Sequence, residues 1–78
     1  MPENPLPTDP LEPVFKCLES GVTFGELSRR SHVPMPIIKF WLMKGVPADV
    51  LAWSDDPVPM QVIHFKNLTA TAAQILAE

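Results

Sequence analysis

This 78-residue sequence has no second cysteine, which excludes an internal disulfide. Cys17 stands alone and is read as a buried, inert thiol. The sequence also lacks an apolar run of the roughly 18 residues needed to cross a bilayer, so a soluble protein without a membrane partner is expected. No basic start followed by an apolar stretch marks a secretory leader. The expectation is therefore a cytoplasmic protein, in which Asn67-Leu68-Thr69 is a glycosylation triplet by chance. There is no glycine-rich phosphate loop, no nucleophile at a telling distance from a base, and little chain from which to build a deep pocket. His32, His64 and Cys17 fall at no metal-ligand spacing, and Asp55-Asp56 ahead of Pro57 read as turn formers. Neither an enzyme, a metal site nor a cofactor is expected. His64 reads as a partly buried structural histidine.

Positive charge is scarce, with a formal net charge of −3, but it is unevenly spread. Residues 21 to 46 hold Arg29, Arg30, Lys39 and Lys44 against Glu26 alone, a local net of +3. The rest of the chain sets Lys16 and Lys66 against eight carboxylates, a net of −6. A cluster of four cations is a modest footprint for a nucleic-acid binder, because each phosphate contact adds to affinity through counterion release.

Proline, in contrast, is abundant. Prolines at 2, 5, 7, 10 and 13 deny backbone donors and favour extended conformations. Residues 1 to 10 are expected to form a flexible or loosely docked arm that is dispensable for folding, and 11 to 78 a single domain. Leu11, Val14, Phe15 and Leu18 recur at helical spacing, which predicts a first helix from Leu11 to Ser20, stopped by Gly21. Thr23-Phe24-Gly25-Glu26 is a capping-box pattern that starts a second helix running to Arg30. Ser31-His32-Val33-Pro34 breaks it, because the residue before proline is pushed out of the α region. Pro34 and Pro36 fit only the first turn of a third helix, predicted from Pro34 to Lys44 and ended by Gly45. A fourth helix is expected over Pro47 to Trp53, with a small β-hairpin wing around 48 to 65 as the alternative. Leu68, Ala72, Ile75 and Leu76 predict a last helix from Leu68 to Ala77. The fold class is mainly all-α: a compact domain of four to five helices around a central helix-turn-helix.

A helix-turn-helix needs particular residue types at fixed offsets, since two short helices must cross closely while the second presents its other face outward. Counting Phe24 as the first position, Leu27 is fourth, small Ser28 fifth, Val33 tenth, Ile38 fifteenth and Trp41 eighteenth, and these are the packing slots. The stretch from Phe24 to Trp41 resembles the helix-turn-helix of phage Cro-like and antitoxin-like regulators. The continuation Trp41-Leu42-Met43-Lys44-Gly45-Val46-Pro47-Ala48-Asp49-Val50-Leu51 is similar to theirs, in which a tryptophan-containing recognition helix runs into a Gly-x-Pro corner. The segment is also similar to the DNA-binding domains of phage excisionases, MerR-type regulators and small terminase subunits. About two fifths of the chain, residues 22 to 53, carries the resemblance.

The resemblance implies a small sequence-specific DNA-binding protein, a phage or mobile-element regulator of the repressor, Cro or excisionase type, acting as a homodimer on double-stranded DNA. Lys39 and Lys44 are the candidates for groove and phosphate contacts, Arg29 and Arg30 for backbone clamps, and Thr23 for a phosphate contact at a helix start. Trp41 is read as core. Met35, Phe40 and Met43 are expected on one exposed face, so Met35 and Phe40 join the candidate contact set. His32 takes the turn position where Gly is usual, which predicts a left-handed backbone there. The outward slots Pro34, Met35, Pro36, Lys39, Phe40 and Met43 hold one strong hydrogen-bonding side chain, so the face reads thymine methyls, shape and phosphates, or another partner. The alternative function is thus an interaction protein that binds a host protein through its apolar third helix. Any dimer surface is expected from Val58 to Phe65 and the last helix with Ile75 and Leu76.

Overall fold

The computed structural model describes residues 10 to 78; the proline-rich arm expected over the preceding residues lies outside them, apart from exposed Pro10. Five helices follow in order: α1 Glu12–Glu19, α2 Phe24–Ser31, α3 Met35–Lys44, α4 Ala48–Leu51 and α5 Met60–Ala77. No strand occurs among the described residues, so the hairpin wing is replaced by a one-turn helix and the start of a long one. The fourth helix is shorter than expected at both ends.

The largest departure from expectation is α5, which begins at Met60 and not at Leu68. Pro59 supplies an extended backbone just ahead of it, and a proline there sacrifices no helical hydrogen bond. The early part of α5 hides its period because apolar residues fall on both of its sides: Val62 is buried while Met60 and Ile63 are exposed. With the helix in place, Val62, Phe65, Leu68, Ala72 and Ile75 form one inward stripe.

α5 is the element against which the others are assembled, packing on α1, α2 and α4. α1 contributes Val14 and Cys17, with Leu11 just before it, while Phe15 is turned outward and Leu18 is half-buried. The Cys17 thiol donates to the Ala72 carbonyl at 3.4 Å, and burial pushes it up from the ordinary thiol value. α2 contributes Leu27 and α3 contributes Ile38 and Trp41, which join Val33, Leu68 and Ala72 in a single core. Trp41 is 3% exposed and meets Phe65 of α5 edge to face, with ring centroids 6.1 Å apart at 78°. Such pairs contribute about 0.5–1.5 kcal/mol beyond burial.

The turn between α2 and α3 is held by side chains. Ser28 Oγ donates to the Val33 carbonyl at 2.7 Å, Ser31 Oγ donates to the Leu27 carbonyl at 2.6 Å, and the Val33 amide donates to Ser31 Oγ at 3.3 Å. Ser31 is buried, so this exchange satisfies polar groups that water does not reach. His32 sits at φ 61°, ψ 29°, the left-handed region expected from its place in the turn. A Cβ there costs roughly 1 kcal/mol, so His32→Gly should raise stability by about that amount, read as a higher urea midpoint at unchanged slope.

Candidate nucleic-acid interface

α2 and α3 pack on one another, and Leu27, Val33, Ile38 and Trp41 of the expected packing slots are all buried. Thr23 caps α2 from an extended backbone by accepting from the Glu26 amide at 3.1 Å. Only that half of the expected capping box is present. The Glu26 carboxylate turns instead to Arg29 and Arg30, both of which it pairs. Thr23 is exposed and its hydroxyl proton is uncommitted by the cap.

α3 presents Pro36, Lys39, Phe40, Met43 and Lys44 on its outer side. Phe40 is 54% and Met43 75% exposed, high for side chains of their size. Met35 departs from expectation: it is half-buried, because its position at the start of α3 lies closer to the inward stripe of Ile38 and Trp41. Gly45 ends the helix at φ 89°, donating its amide to the Trp41 carbonyl at 2.7 Å. A side chain is strained at that backbone angle, so the glycine sets where the chain leaves α3.

The structure divides the four expected cations. Lys39 Nζ lies 5.4 Å above the Phe24 ring, a contact across the α2–α3 crossing that steadies the lysine stem while leaving its ammonium exposed. Lys44 is exposed in the last turn of α3. Arg29 is exposed and its pairing with Glu26 is a surface pair of small worth, easily exchanged for a phosphate. Arg30, expected as a backbone clamp, is engaged within the fold. Its guanidinium grips Glu78 in two contacts, Nη2 to Oε2 at 2.6 Å and Nη1 to Oε1 at 3.4 Å, tying α2 to the end of α5. A fork of this kind fixes the side chain in place.

The hydrogen bond from Arg30 holds the Glu78 carboxyl below the usual carboxylate range, with attraction to the same guanidinium adding to the effect. A carboxyl depressed in the folded state contributes stability that is complete above its unfolded value of about 4.3 and is lost as pH falls through the folded one. Glu78→Gln should therefore lower the melting temperature at neutral pH and flatten its acid limb below about pH 4.3. Parallel melting curves for the two proteins down that limb would show that the pair adds nothing.

Other polar groups contribute little chemistry. Among the described residues no three His, Cys, Asp or Glu side chains come together in a way that holds a metal. His64 is half-buried on α5, and its buried Nδ1 has no hydrogen-bond partner among the described residues. Trp53, whose place the sequence leaves undetermined, is partly exposed and donates its indole N–H to the Asp55 carbonyl at 2.7 Å. Asp55 and Asp56 lie in the bend between α4 and α5. No helix among the described residues is long and apolar enough to cross a membrane. Of the expected dimer surface, Val62 is buried and Phe65 and Ile75 pack on the core, leaving Met60, Ile63 and Leu76 outside. No family model, curated protein or solved structure matches the chain.

Proposed function

We propose that this chain is a small sequence-specific DNA-binding protein, a transcriptional regulator of the phage or mobile-element kind, that lays α3 in the major groove. The observation carrying this reading is the packed α2–α3 pair joined by a tight turn, with Lys39 and Lys44 on the exposed side of the second helix. Thr23 and Arg29 flank that face and supply phosphate contacts, while Lys39 is the base-edge candidate. Phe40 and Met43 are suited to thymine methyl groups. Arg30 acts from behind, holding α2 on α5.

Three exposed cations make few phosphate contacts, so two copies on paired half-sites give firmer binding than one. Met60, Ile63 and Leu76 provide apolar surface for that pairing away from α3, and the setting for such a regulator is the cytoplasm. Anisotropy of a labelled mixed-sequence duplex, titrated at two salt concentrations, tests the reading. Binding that weakens steeply with salt is expected; no binding up to about 100 µM protein at low salt would remove DNA as the ligand. The exposure of Phe40 and Met43 favours one second reading, in which α3 holds an apolar patch of a host protein.

A further inference from the structure

An open apolar pocket of about 230 Å³ is lined by Pro36, Ile37, Phe40 and Trp41 of α3, by Pro47 at the corner after it, and by Gln61 in the first turn of α5. Trp41 is buried and Ile37 half-buried, so these two form the floor. Pro36, Phe40, Pro47 and Gln61 are exposed and form the rim. Apolar walls dominate, and two side chains bring polar groups to them.

Trp41 is the first. Its indole N–H has no acceptor among the described residues, whereas that of Trp53 is taken by the Asp55 carbonyl at 2.7 Å. A buried tryptophan ordinarily gives this proton to a partner. The one side-chain polar atom both sealed and unpartnered among the described residues is His64 Nδ1, so the Trp41 N–H is not sealed. Trp41 keeps only 3% of its surface, and that surface faces the pocket it lines. An almost wholly buried side chain thus holds a free donor at the pocket floor. Gln61 is the second, with an amide that has no hydrogen-bond partner among the described residues.

We propose that this pocket binds a flat, two-ring aromatic heterocycle with a hydrogen-bond acceptor on its edge. The rings of Phe40 and Trp41 and the faces of Pro36 and Pro47 hold the plane of the ligand, the Trp41 N–H donates to its acceptor, and the Gln61 amide closes the open side. A dry cavity of roughly 150 Å³ takes benzene, so 230 Å³ admits a second fused ring. A ligand without an acceptor leaves the indole proton unmatched, and a saturated one forfeits the ring contacts. Concave apolar walls with a few converging polar groups are the general form of a small-molecule site. The proposal does not rest on the DNA-binding reading, and no nucleic acid enters its test.

The test uses the full chain carrying Trp53→Phe, which leaves Trp41 as the sole indole of the protein. Quinoline, whose ring nitrogen is an acceptor, and indole, of similar size but with a donor in its place, are titrated in turn while nitrogen–proton spectra are recorded at neutral pH. Quinoline should shift the Trp41 indole signal and the amides of Ile37, Phe40 and Gln61, with half-saturation at or below about 1 mM, a level that ten heavy atoms support. Indole should bind about 3- to 10-fold more weakly, because its donor meets a donor. Gln61→Phe, at an exposed position, fills the pocket from its rim and should abolish the quinoline shifts at an unchanged melting temperature. No saturable shift up to about 10 mM quinoline would overturn the proposal. Equal affinities for the two compounds, or an unaltered quinoline affinity in Gln61→Phe, would do the same. Displacement of quinoline by a hexaproline peptide at lower concentration than quinoline itself requires would overturn it in favour of an extended peptide. Shifts at these residues that grow with protein concentration alone would overturn it in favour of a second copy.

Discussion

Trp41→Ala should lose roughly 3–5 kcal/mol of folding free energy, enough to leave a domain of this size largely unfolded at 37 °C. The side chain is 3% exposed and shares its core with Leu27, Ile38 and Leu68, so truncation opens a cavity lined on several sides. The edge-to-face packing on Phe65 disappears as well, and with it the direct aromatic link from α3 to α5. Three helices meet around that cavity, and each is anchored elsewhere, so collapse to fill it is resisted. Urea denaturation followed by helical circular dichroism gives the number. Trp41→Phe, which keeps an aromatic ring in the slot, should retain a cooperative transition. A Trp41→Ala protein melting at the parental temperature would mean that α3 does not pack as described.

Lys39→Ala should weaken duplex binding by about 1–3 kcal/mol while leaving the fold intact. Its ammonium is exposed on the outer side of α3, and the substitution gives up its contact with the Phe24 ring. An exposed cation–π contact is worth about 0.5–1 kcal/mol, so a small drop in melting temperature accompanies a much larger drop in affinity. The slope of log affinity against log salt separates two roles. If Lys39 meets a phosphate, its removal reduces that slope by about one; if it meets a base edge, its removal relaxes the preference at one position of the site. An affinity and a slope both equal to the parent's would take α3 out of the groove.

The parts of the fold legible in the sequence are those fixed by neighbours along the chain. Leu27, Val33, Ile38 and Trp41 are buried as their offsets require, because a short helix, a tight turn and a second helix leave few ways to hide four apolar side chains. His32 is left-handed for the same local reason. The helical state of Met60 to Asn67 is hidden because its apolar residues are not confined to one face, and periodicity carries no signal when both sides are hydrophobic. The role of Arg30 is hidden because its partner is 48 residues away. Sequence shows the charge but not the carboxylate that folding delivers to it. The cation–π contact of Lys39 and the pocket beside Phe40 belong to the same class, since each depends on how helices cross. The half-buried place of Met35 follows from its position one helical step before Ile38, at the edge of the inward stripe.

That the two crossed helices lean on α5 has a bearing on how the protein comes into being. The Cys17 thiol reaches a carbonyl 55 residues further on, and Arg30 waits for a carboxylate beyond the last turn of α5. During synthesis, α1, α2 and α3 leave the ribosome before the helix that covers their apolar sides exists. Until then Leu27, Ile38 and Trp41 are open to water and to other chains, and the pair has little means of holding its crossing angle. Folding is thus postponed until α5 has left the ribosome, and the nascent chain is a substrate for chaperones and proteases during that interval. A chain cut short before Leu68 would lack Leu68 and Ala72 of the core and leave Leu27, Ile38 and Trp41 without their cover.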